Sequence, residues 1–253
     1  MKAMVLAAGL GTRLRLLTND RPKALVTMCG HTMLEIALAR LRHFGVTEVI
    51  VNTHHYGEMI REYLKTNGNF GMRIEISHEE KLLDTGGGLK KAAWFFLEDD
   101  RAGEKSRDPF ILHNVDVISA IDLAQMAQFH GEKGALATLA MQERETKRYL
   151  LFDEQGMLCG RRAGHSGDPE LVRSATATQA LAFCGIHILS PQFLRKMDED
   201  GAFSIIDAYL HLAAQGEKIA AFRADAYRWR DLGRPEAVFQ AAQEMESGEF
   251  SAS

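Results

Sequence analysis

A chain of 253 residues with 46% hydrophobic content can bury a sizeable core, as one large domain or as two intimately joined halves. A formal net charge of −4 and the lack of any basic run exclude a general nucleic-acid or membrane-surface binder. No apolar stretch approaches the roughly 20 residues that span a bilayer, and because the opening apolar stretch runs straight into a glycine loop no secretory leader is expected.

The first strand, residues 3–8, runs directly into Gly9-Leu10-Gly11-Thr12-Arg13, and Pro22-Lys23 follows at a short distance. A strand of a parallel sheet delivers such a loop to the sheet's carboxyl edge, where open α/β folds bind ligands. Gly9 and Gly11 let the backbone approach a ligand closely, and free N–H groups beside Arg13 and Lys23 call for an anion. The loop reads as a phosphate cradle. Two familiar cradles are excluded. The dinucleotide fingerprint wants a third small residue where this chain has Leu14, and an acid where it has Asn52-Thr53-His54. The P-loop wants Gly-Lys-Ser/Thr ahead of a helix, and no such triplet occurs.

Beyond the loop, apolar runs alternate with helix-period segments, the pattern of an α/β fold with a largely parallel sheet. Residues 32–44 carry Met33, Ile36, Ala37, Leu41 and Phe44 on one helical face, with Gly45 as the stop. Residues 49–51 form the second buried strand, 56–64 a helix and 73–77 a third strand. Thr85-Gly86-Gly87-Gly88 is expected to be a loop that opens a helix, as an anion site or a flat backbone wall. Residues 99–107 read as a charged surface connection, and 110–112 as a central strand ending in His113-Asn114-Val115-Asp116. In the second half, 135–141, 149–152, 183–188, 218–222 and 227–229 read as strands, with a turn at 153–156. Residues 164–177, small and polar, read as a mobile excursion. Residues 205–214 read as a helix, as do 235–245, which start with Pro235. Cys29, Cys159 and Cys184 lack disulfide or metal-ligand spacing, so a soluble cytoplasmic protein is expected.

Asp116 ends a buried apolar strand, where a carboxylate is costly unless it meets a cation. Asp231 likewise follows a strand and precedes a helix. Either one alone reads as a cap or turn former. Beside a phosphate loop the pair reads as a Mg²⁺ site, because Mg²⁺ takes one or two carboxylates plus phosphate oxygens. His54 and His55 diverge on a strand and do not share a metal, and His187 on an apolar strand reads as structural. Arg15 and Arg21 read as solvated.

Gly9-Leu10-Gly11-Thr12-Arg13-Leu14, the detached Pro22-Lys23, Asn114-Val115-Asp116 and Trp229-Arg230-Asp231-Leu232-Gly233-Arg234-Pro235 together resemble the motifs of the sugar-1-phosphate nucleotidyltransferases. The resemblance runs from Met1 to about Met245. Tyr149-Leu150-Leu151-Phe152, Phe183-Cys184-Gly185-Ile186-His187 and Phe203-Ser204-Ile205-Ile206-Asp207 look like the short N-acetylmuramate-1-phosphate uridylyltransferase-like subgroup. Leu16 and Ala24 stand where proline is usual, which is expected to loosen the loop. Val115 stands where glycine is usual, which is expected to narrow the space above the metal or sugar.

The resemblance implies a Rossmann-like, GT-A-like α/β fold, a mostly parallel sheet flanked by helices with a smaller mixed sugar-binding half. It implies one nucleotidyltransferase domain over 1–253, with a nucleotide-binding half (1–118) and a sugar-phosphate-binding half (119–253). The implied reaction joins a nucleoside triphosphate, UTP favoured, to a sugar-1-phosphate resembling N-acetylmuramate 1-phosphate, and releases pyrophosphate. Lys23, Arg13 and Asp116 would be catalytic, with Asp116 and Asp231 holding Mg²⁺. Leu6, Ala8, Gly9, Gly11, Thr12, Arg13, Lys23, Thr85, Gly86 and Gly87 would bind the nucleotide, with Asp84 near the base or ribose. Asn114, Arg148 and Gly185 would bind the sugar phosphate, with Arg161 and Arg162 as further candidates. Other readings of the same motifs are a mannose- or heptose-1-phosphate guanylyltransferase, a nucleotide-sugar glycosyltransferase, and a non-catalytic sugar-nucleotide-binding regulatory subunit. The oligomeric state is left open.

Overall fold

In β1 (Lys2–Leu6), Ala3, Met4 and Val5 are fully buried, so this strand must be covered on both faces. The computed structural model describes residues 1–15, 17–98 and 107–247. Leu16 and most of the expected charged connection at 99–107 therefore lie outside the described residues. After β1, two 3₁₀ turns (Thr12–Leu14 and Lys23–Leu25) and a short hairpin of β2 (Thr27–Met28) and β3 (His31–Thr32) lead to α1 (Met33–His43). Then come β4 (Glu48–Thr53), α2 (Gly57–Thr66), β5 (Arg73–His78), α3 (Asp84–Lys91), α4 (Ala93–Leu97), β6 (Phe110–Asn114) and β7 (Val117–Ser119). The second half holds α5 (Leu123–Lys133), β8 (Ala137–Gln142), β9 (Arg148–Phe152), β10 (Leu158–Ala163), β11 (Pro169–Leu171) and β12 (Gln179–Leu189). It closes with α6 (Pro191–Lys196), α7 (Ile205–Ala214), β13 (Ile219–Arg223), β14 (Trp229–Asp231) and α8 (Pro235–Glu246).

The main sheet runs β5-β4-β1-β6-β12-β9-β10-β11, with β8 also paired to β12 and β13 to β8. From β5 to β6 every pairing is parallel. Beyond β6 the pairings through β12 to β11 are antiparallel, which makes the second half mixed. The chain moves outward from β1 to β4 and β5, then returns to β6 on the other side of β1. The connections therefore part between β1 and β6, and the loops after these strands splay open there, at a topological switch point.

Period-2 alternation in β1 assigns the layers. Ala3 and Val5 join a core with α1, Ile60 of α2, Met126 of α5 and Val238 of α8. Met4 and Leu6 face the other way, toward Leu89, Phe95, Phe193 and Tyr209 from α3, α4, α6 and α7. Each fully buried side chain of this size contributes about 1.5–3 kcal/mol relative to exposure. Thr32 caps α1 by accepting from Glu35 N at 3.0 Å, and Ser204 caps α7 through Ile206 N at 3.3 Å.

The fold departs from the sequence reading in three places. Helix α5 was not anticipated, although Asp122 accepts from Ala124 and Gln125 N at 2.9 Å and Gly134 ends it in the left-handed region. Residues 164–177 contain β11, which pairs with β10. Thr85 to Gly88 lie inside α3, not in a loop before it.

Three imidazoles are sealed in this core. His113 Nδ1 bonds to Asn114 O at 2.8 Å, His130 to Thr138 Oγ1 and Ser190 Oγ at 2.9 Å, and His187 to Tyr209 OH at 2.6 Å. Burial pushes them down to about 4, about 4 and about 3. Unfolding exposes them at an ordinary value of about 6.5, so below that pH the unfolded chain binds more protons. Stability is therefore expected to fall as pH drops from about 6.5 to about 5, with net proton uptake on unfolding. Calorimetric melts in buffers of different ionisation enthalpy check this; a Tm that stays flat across the window contradicts it.

Candidate active site

The loop after β1 folds back on itself because of Gly11, whose φ of +62° suits glycine. A Cβ there would come within 3.1 Å of Thr18 Cγ2 and 3.3 Å of Lys23 Cβ, and Thr18 Oγ1 donates to Gly11 O at 3.1 Å. Leu14 is fully buried and anchors the 3₁₀ turn that presents the exposed Arg13. Among the described residues no hydrogen bond claims the N–H groups of Gly9, Leu10 or Gly11. Leu6 and Ala8 are buried beneath the loop, while Gly9 and Thr12 are exposed on it.

Pro22 turns the chain into the second 3₁₀ turn, where Leu25 N donates to Pro22 O at 2.9 Å and Ala24 is fully buried. Ala24 is thus a core residue in a hydrogen-bonded turn, and the expected loosening is not seen there. Lys23 reaches from this turn to Asp116, with Nζ and Oδ2 2.9 Å apart. Asp116 is only 7% exposed, and a carboxylate so placed needs a cation. Val115, beside it, is 1% exposed and packs in the core, its N–H bonded to Leu6 O at 3.2 Å. It points away from the cavity, so the expected narrowing does not occur.

After Asp116 the chain enters β7, which pairs antiparallel with β14 so that Asp231 lies opposite Val117. Leu232 N donates to Asp116 O at 2.7 Å, which sets the two aspartates side by side. Asp231 Oδ1 accepts from Gly233 N at 2.6 Å. A Cβ on Gly233 would stand 2.6 Å from both Arg13 Nη2 and Asp231 Oδ1, so the arginine and the carboxylate flank a residue that has no room for a side chain.

Arg13, Asp116 and Asp231 open on a cavity of about 1060 Å³ lined also by Asn114, Gly185 and Arg148, among others, whereas Lys23 and the loop residues Leu6, Ala8, Gly9, Gly11 and Thr12 do not line it. A second hollow of about 790 Å³ adjoins it and shares Arg13, Arg148 and Asp231. Gly185 has φ +73°, and a Cβ there would meet Asn114 Nδ2 at 2.8 Å. Arg148 is exposed on the rim of both hollows. Arg161 is already engaged by Glu170 at 2.6 Å and Asp207 at 2.9 Å, and Arg162 Nε donates to Gly164 O at 3.2 Å. His54 Nδ1 is paired with Glu79 O at 2.8 Å, and Arg21 with Asp20 at 2.8 Å.

The second glycine cluster is the main correction. Thr85 and Asp84 line the cavity, but Gly86 and Gly87 do not. Their N–H groups donate to Phe203 O at 2.9 and 3.4 Å, so they are not open to a ligand. A Cβ on Gly86 would strike the Phe203 ring at 2.3 Å, and one on Gly87 would strike Gly201 O at 2.2 Å. Close packing, not ligand approach, accounts for these two glycines.

A buried bridge was missed in the sequence. Asn52 Oδ1 accepts from Ala7 N at 2.7 Å and Ala8 N at 3.3 Å, at the root of the first loop. Its Nδ2 donates to Glu79 Oε1 at 2.7 Å, and Glu79 Oε2 accepts from Leu83 N at 2.9 Å, just before α3. Both residues are at most 2% exposed, and a Cβ on Gly88 would fall within 2.8 Å of both side chains. The readable signal was a polar residue, Asn52, ending a strand buried next to β1.

Among the described residues no group of three or more His, Cys, Asp or Glu could hold a metal. Two carboxylates can contribute. Asp116 Oδ1 and Asp231 Oδ2 have no partner among the described residues, and hard oxygens of this kind suit a divalent cation whose remaining ligands come from a polyphosphate.

The family described as nucleotidyl transferase matches residues 2–248. The chain is 33% identical over 250 residues to the N-acetylmuramate alpha-1-phosphate uridylyltransferase of Caulobacter vibrioides, covering 94% of each. It is 28% identical over 265 residues to the UTP–glucose-1-phosphate uridylyltransferase of Synechocystis sp., across 99% of this chain but 64% of that one. In fold, it resembles the crystal structure of HddC from Yersinia pseudotuberculosis with a TM-score of 0.74 at 21% identity, covering 96% and 99% of the two chains. No helix among the described residues is long and apolar enough to cross a membrane.

Glu79→Ala strips the partners from a buried donor, Asn52 Nδ2, and a partly buried one, Leu83 N–H, and is expected to cost roughly 2–4 kcal/mol. Urea denaturation reads this as a lower midpoint at unchanged slope, with a smaller loss in Glu79→Gln. A midpoint unmoved in both variants contradicts the bridge.

Proposed function

The chain belongs to the nucleotidyl transferase family, and from that premise we propose that it joins UTP to N-acetylmuramate 1-phosphate, forming the UDP-sugar and releasing pyrophosphate. The observation that carries this reading is the Lys23 Nζ–Asp116 Oδ2 contact of 2.9 Å, with Asp116 lining one cavity together with Asp231 and Arg13. The choice of acceptor and base is supported by the relative from Caulobacter vibrioides, which matches over 94% of both chains. The reading sets the enzyme in the cytoplasm, as a supplier of cell-wall precursors, and its unpaired cysteines suit that setting.

In this reaction an oxygen of the sugar 1-phosphate attacks the α-phosphorus of the nucleotide, and the bond to the bridging oxygen of the β-phosphate breaks. The attacking phosphate is already anionic near neutral pH, so no general base is needed. The obstacle is repulsion between two anions, which positioning and cationic screening must overcome. The N–H groups of Gly9, Leu10 and Gly11 and the guanidinium of Arg13 hold the departing phosphates, where a fork of donors matches phosphate geometry. Lys23 lies beside the α-phosphate and faces both reacting anions. Residues 1–118 carry the nucleotide, and Asn114, Gly185 and Arg148 orient the acceptor with residues 119–253. Asp116 and Asp231 would hold Mg²⁺, which when bound screens charge on the phosphate oxygens.

Asp116→Asn is expected to lower Mg²⁺-dependent pyrophosphate release by roughly 10²–10³-fold while the fold is retained. Wild-type turnover in that variant refutes the role. The substrate assignment is tested by measuring pyrophosphate from four nucleoside triphosphates against a panel of sugar 1-phosphates. UTP with N-acetylmuramate 1-phosphate is expected to lead; GTP with mannose 1-phosphate in the lead would favour the activity named for the Xenopus laevis relative at 28% identity.

A further inference from the structure

Arg144 follows β8 and lines the main cavity together with Trp229, Cys184 and Gly185. Its guanidinium lies 4.0 Å over the Trp229 ring, and its Nη2 donates to Phe183 O at 2.7 Å. Trp229 is itself held, its Nε1–H donating to Cys184 O at 2.7 Å. The arginine is thus fixed on two sides by neutral groups, a carbonyl and an aromatic face.

No carboxylate pairs with Arg144 among the described residues, and its buried Nε has no hydrogen-bond partner. Of the other cationic groups on the cavity wall, Arg161 is paired with Glu170 and Asp207 and Arg230 with Glu244, while Arg162 donates to Gly164 O and lies 5.5 Å from the Tyr149 ring, on the β10 side of the cavity away from Trp229. Arg13 and Arg148 are unpaired too, but they belong to the Asp231 end, where the two hollows meet. The Cys184 thiol beside Arg144 is pushed up to about 12 by burial, so it supplies no thiolate to balance the charge. A rigid, partly buried cation without a counter-charge is a site for an anion.

Its position separates it from the phosphate end. Trp229 and Asp231 are two residues apart on β14, so their side chains share a face about 6–7 Å apart. Asn114, two residues before Asp116, packs on Gly185, and Cys184 next to it accepts from Trp229. The wall therefore runs from Asp116 through Asn114 and Gly185 to Arg144, which sets Arg144 apart from the two aspartates along the cavity.

We propose that Arg144 pairs with a carboxylate on the acceptor sugar, making it the residue that selects sugar 1-phosphates with an acidic substituent remote from the phosphate. This rests on the nucleotidyl-transfer reading above and names its acceptor class. The planar fork of an arginine matches a carboxylate bidentately, and the Trp229 ring holds that fork in plane.

The test compares kcat/KM for N-acetylmuramate 1-phosphate and N-acetylglucosamine 1-phosphate, which differ by one carboxylate-bearing ether, using the triphosphate the wild type prefers. The wild type is expected to favour the acidic acceptor. In Arg144→Gln, which keeps a donor for Phe183 O but loses the charge, the ratio of the two is expected to fall about 10- to 100-fold. Arg144→Lys, with charge but no fork, is expected to lie between. A wild type without preference, or a ratio unchanged in Arg144→Gln, overturns the assignment while leaving nucleotidyl transfer intact. Should Arg144→Gln not fold, a wild-type ratio in Arg144→Lys overturns it equally. A wild type that releases pyrophosphate with neither acceptor, nor with any other sugar 1-phosphate, overturns the underlying reading as well.

Discussion

A carboxylate at the end of a central buried strand is the constraint on which the rest of this structure depends. Asp116 is only 7% exposed, and its charge is tolerable there because Lys23 delivers an ammonium to 2.9 Å. Much of the local architecture serves that delivery. The 3₁₀ turn buries Ala24 and Leu25 so that Lys23, between them and the loop, can turn outward. The parting of connections at β1 and β6 leaves space above the strands, and the β7–β14 ladder brings a second aspartate from far along the chain. An ion pair of this kind is weak evidence for stability, because desolvation offsets much of the attraction. In the proposed reaction its value lies in reactivity: a cation and an anion held apart from water would exchange partners with a polyphosphate and the Mg²⁺ it carries.

Glycines set the spacing around this pair. Gly233 leaves room for Arg13 and Asp231 on either side of it, and Gly185 lets Asn114 close on the floor of the cavity. Gly88 does the same for the Asn52–Glu79 bridge, which ties the root of the loop after β1 to the start of α3. The bridge links the two segments through neutral and charged hydrogen bonds in a buried place, where such bonds are strong and their loss is costly.

The parallel half of the fold was legible because burial on both faces leaves continuous apolar runs, as in residues 3–8 and 110–112. The pairing of Lys23 with Asp116, and of Asp116 with Asp231, was readable only in combination: each aspartate alone reads as a cap or turn former, and it took the glycine loop and the motif resemblance to bring them together. Helix α5 was not, since only three of its residues, Leu123, Met126 and His130, are buried. The Gly86-Gly87 pair misled, because a glycine required by tight packing reads the same as one required by a ligand. Arg144 and Glu79 were not legible at all: their meaning comes from Trp229, Phe183, Asn52 and Leu83, neighbours that only the folded chain supplies.

The central claim is that Lys23 and Asp116 act as one unit on the reacting phosphates. A double-mutant cycle tests it most directly, with pyrophosphate turnover measured in Lys23→Met, Asp116→Asn and the double variant. Groups that act together are strongly non-additive, so each single change is expected to cost roughly 10²–10³-fold and the double to be within about tenfold of the worse single. Losses that multiply, with the double variant falling by the product of the two singles, would show independent contributions and contradict the account.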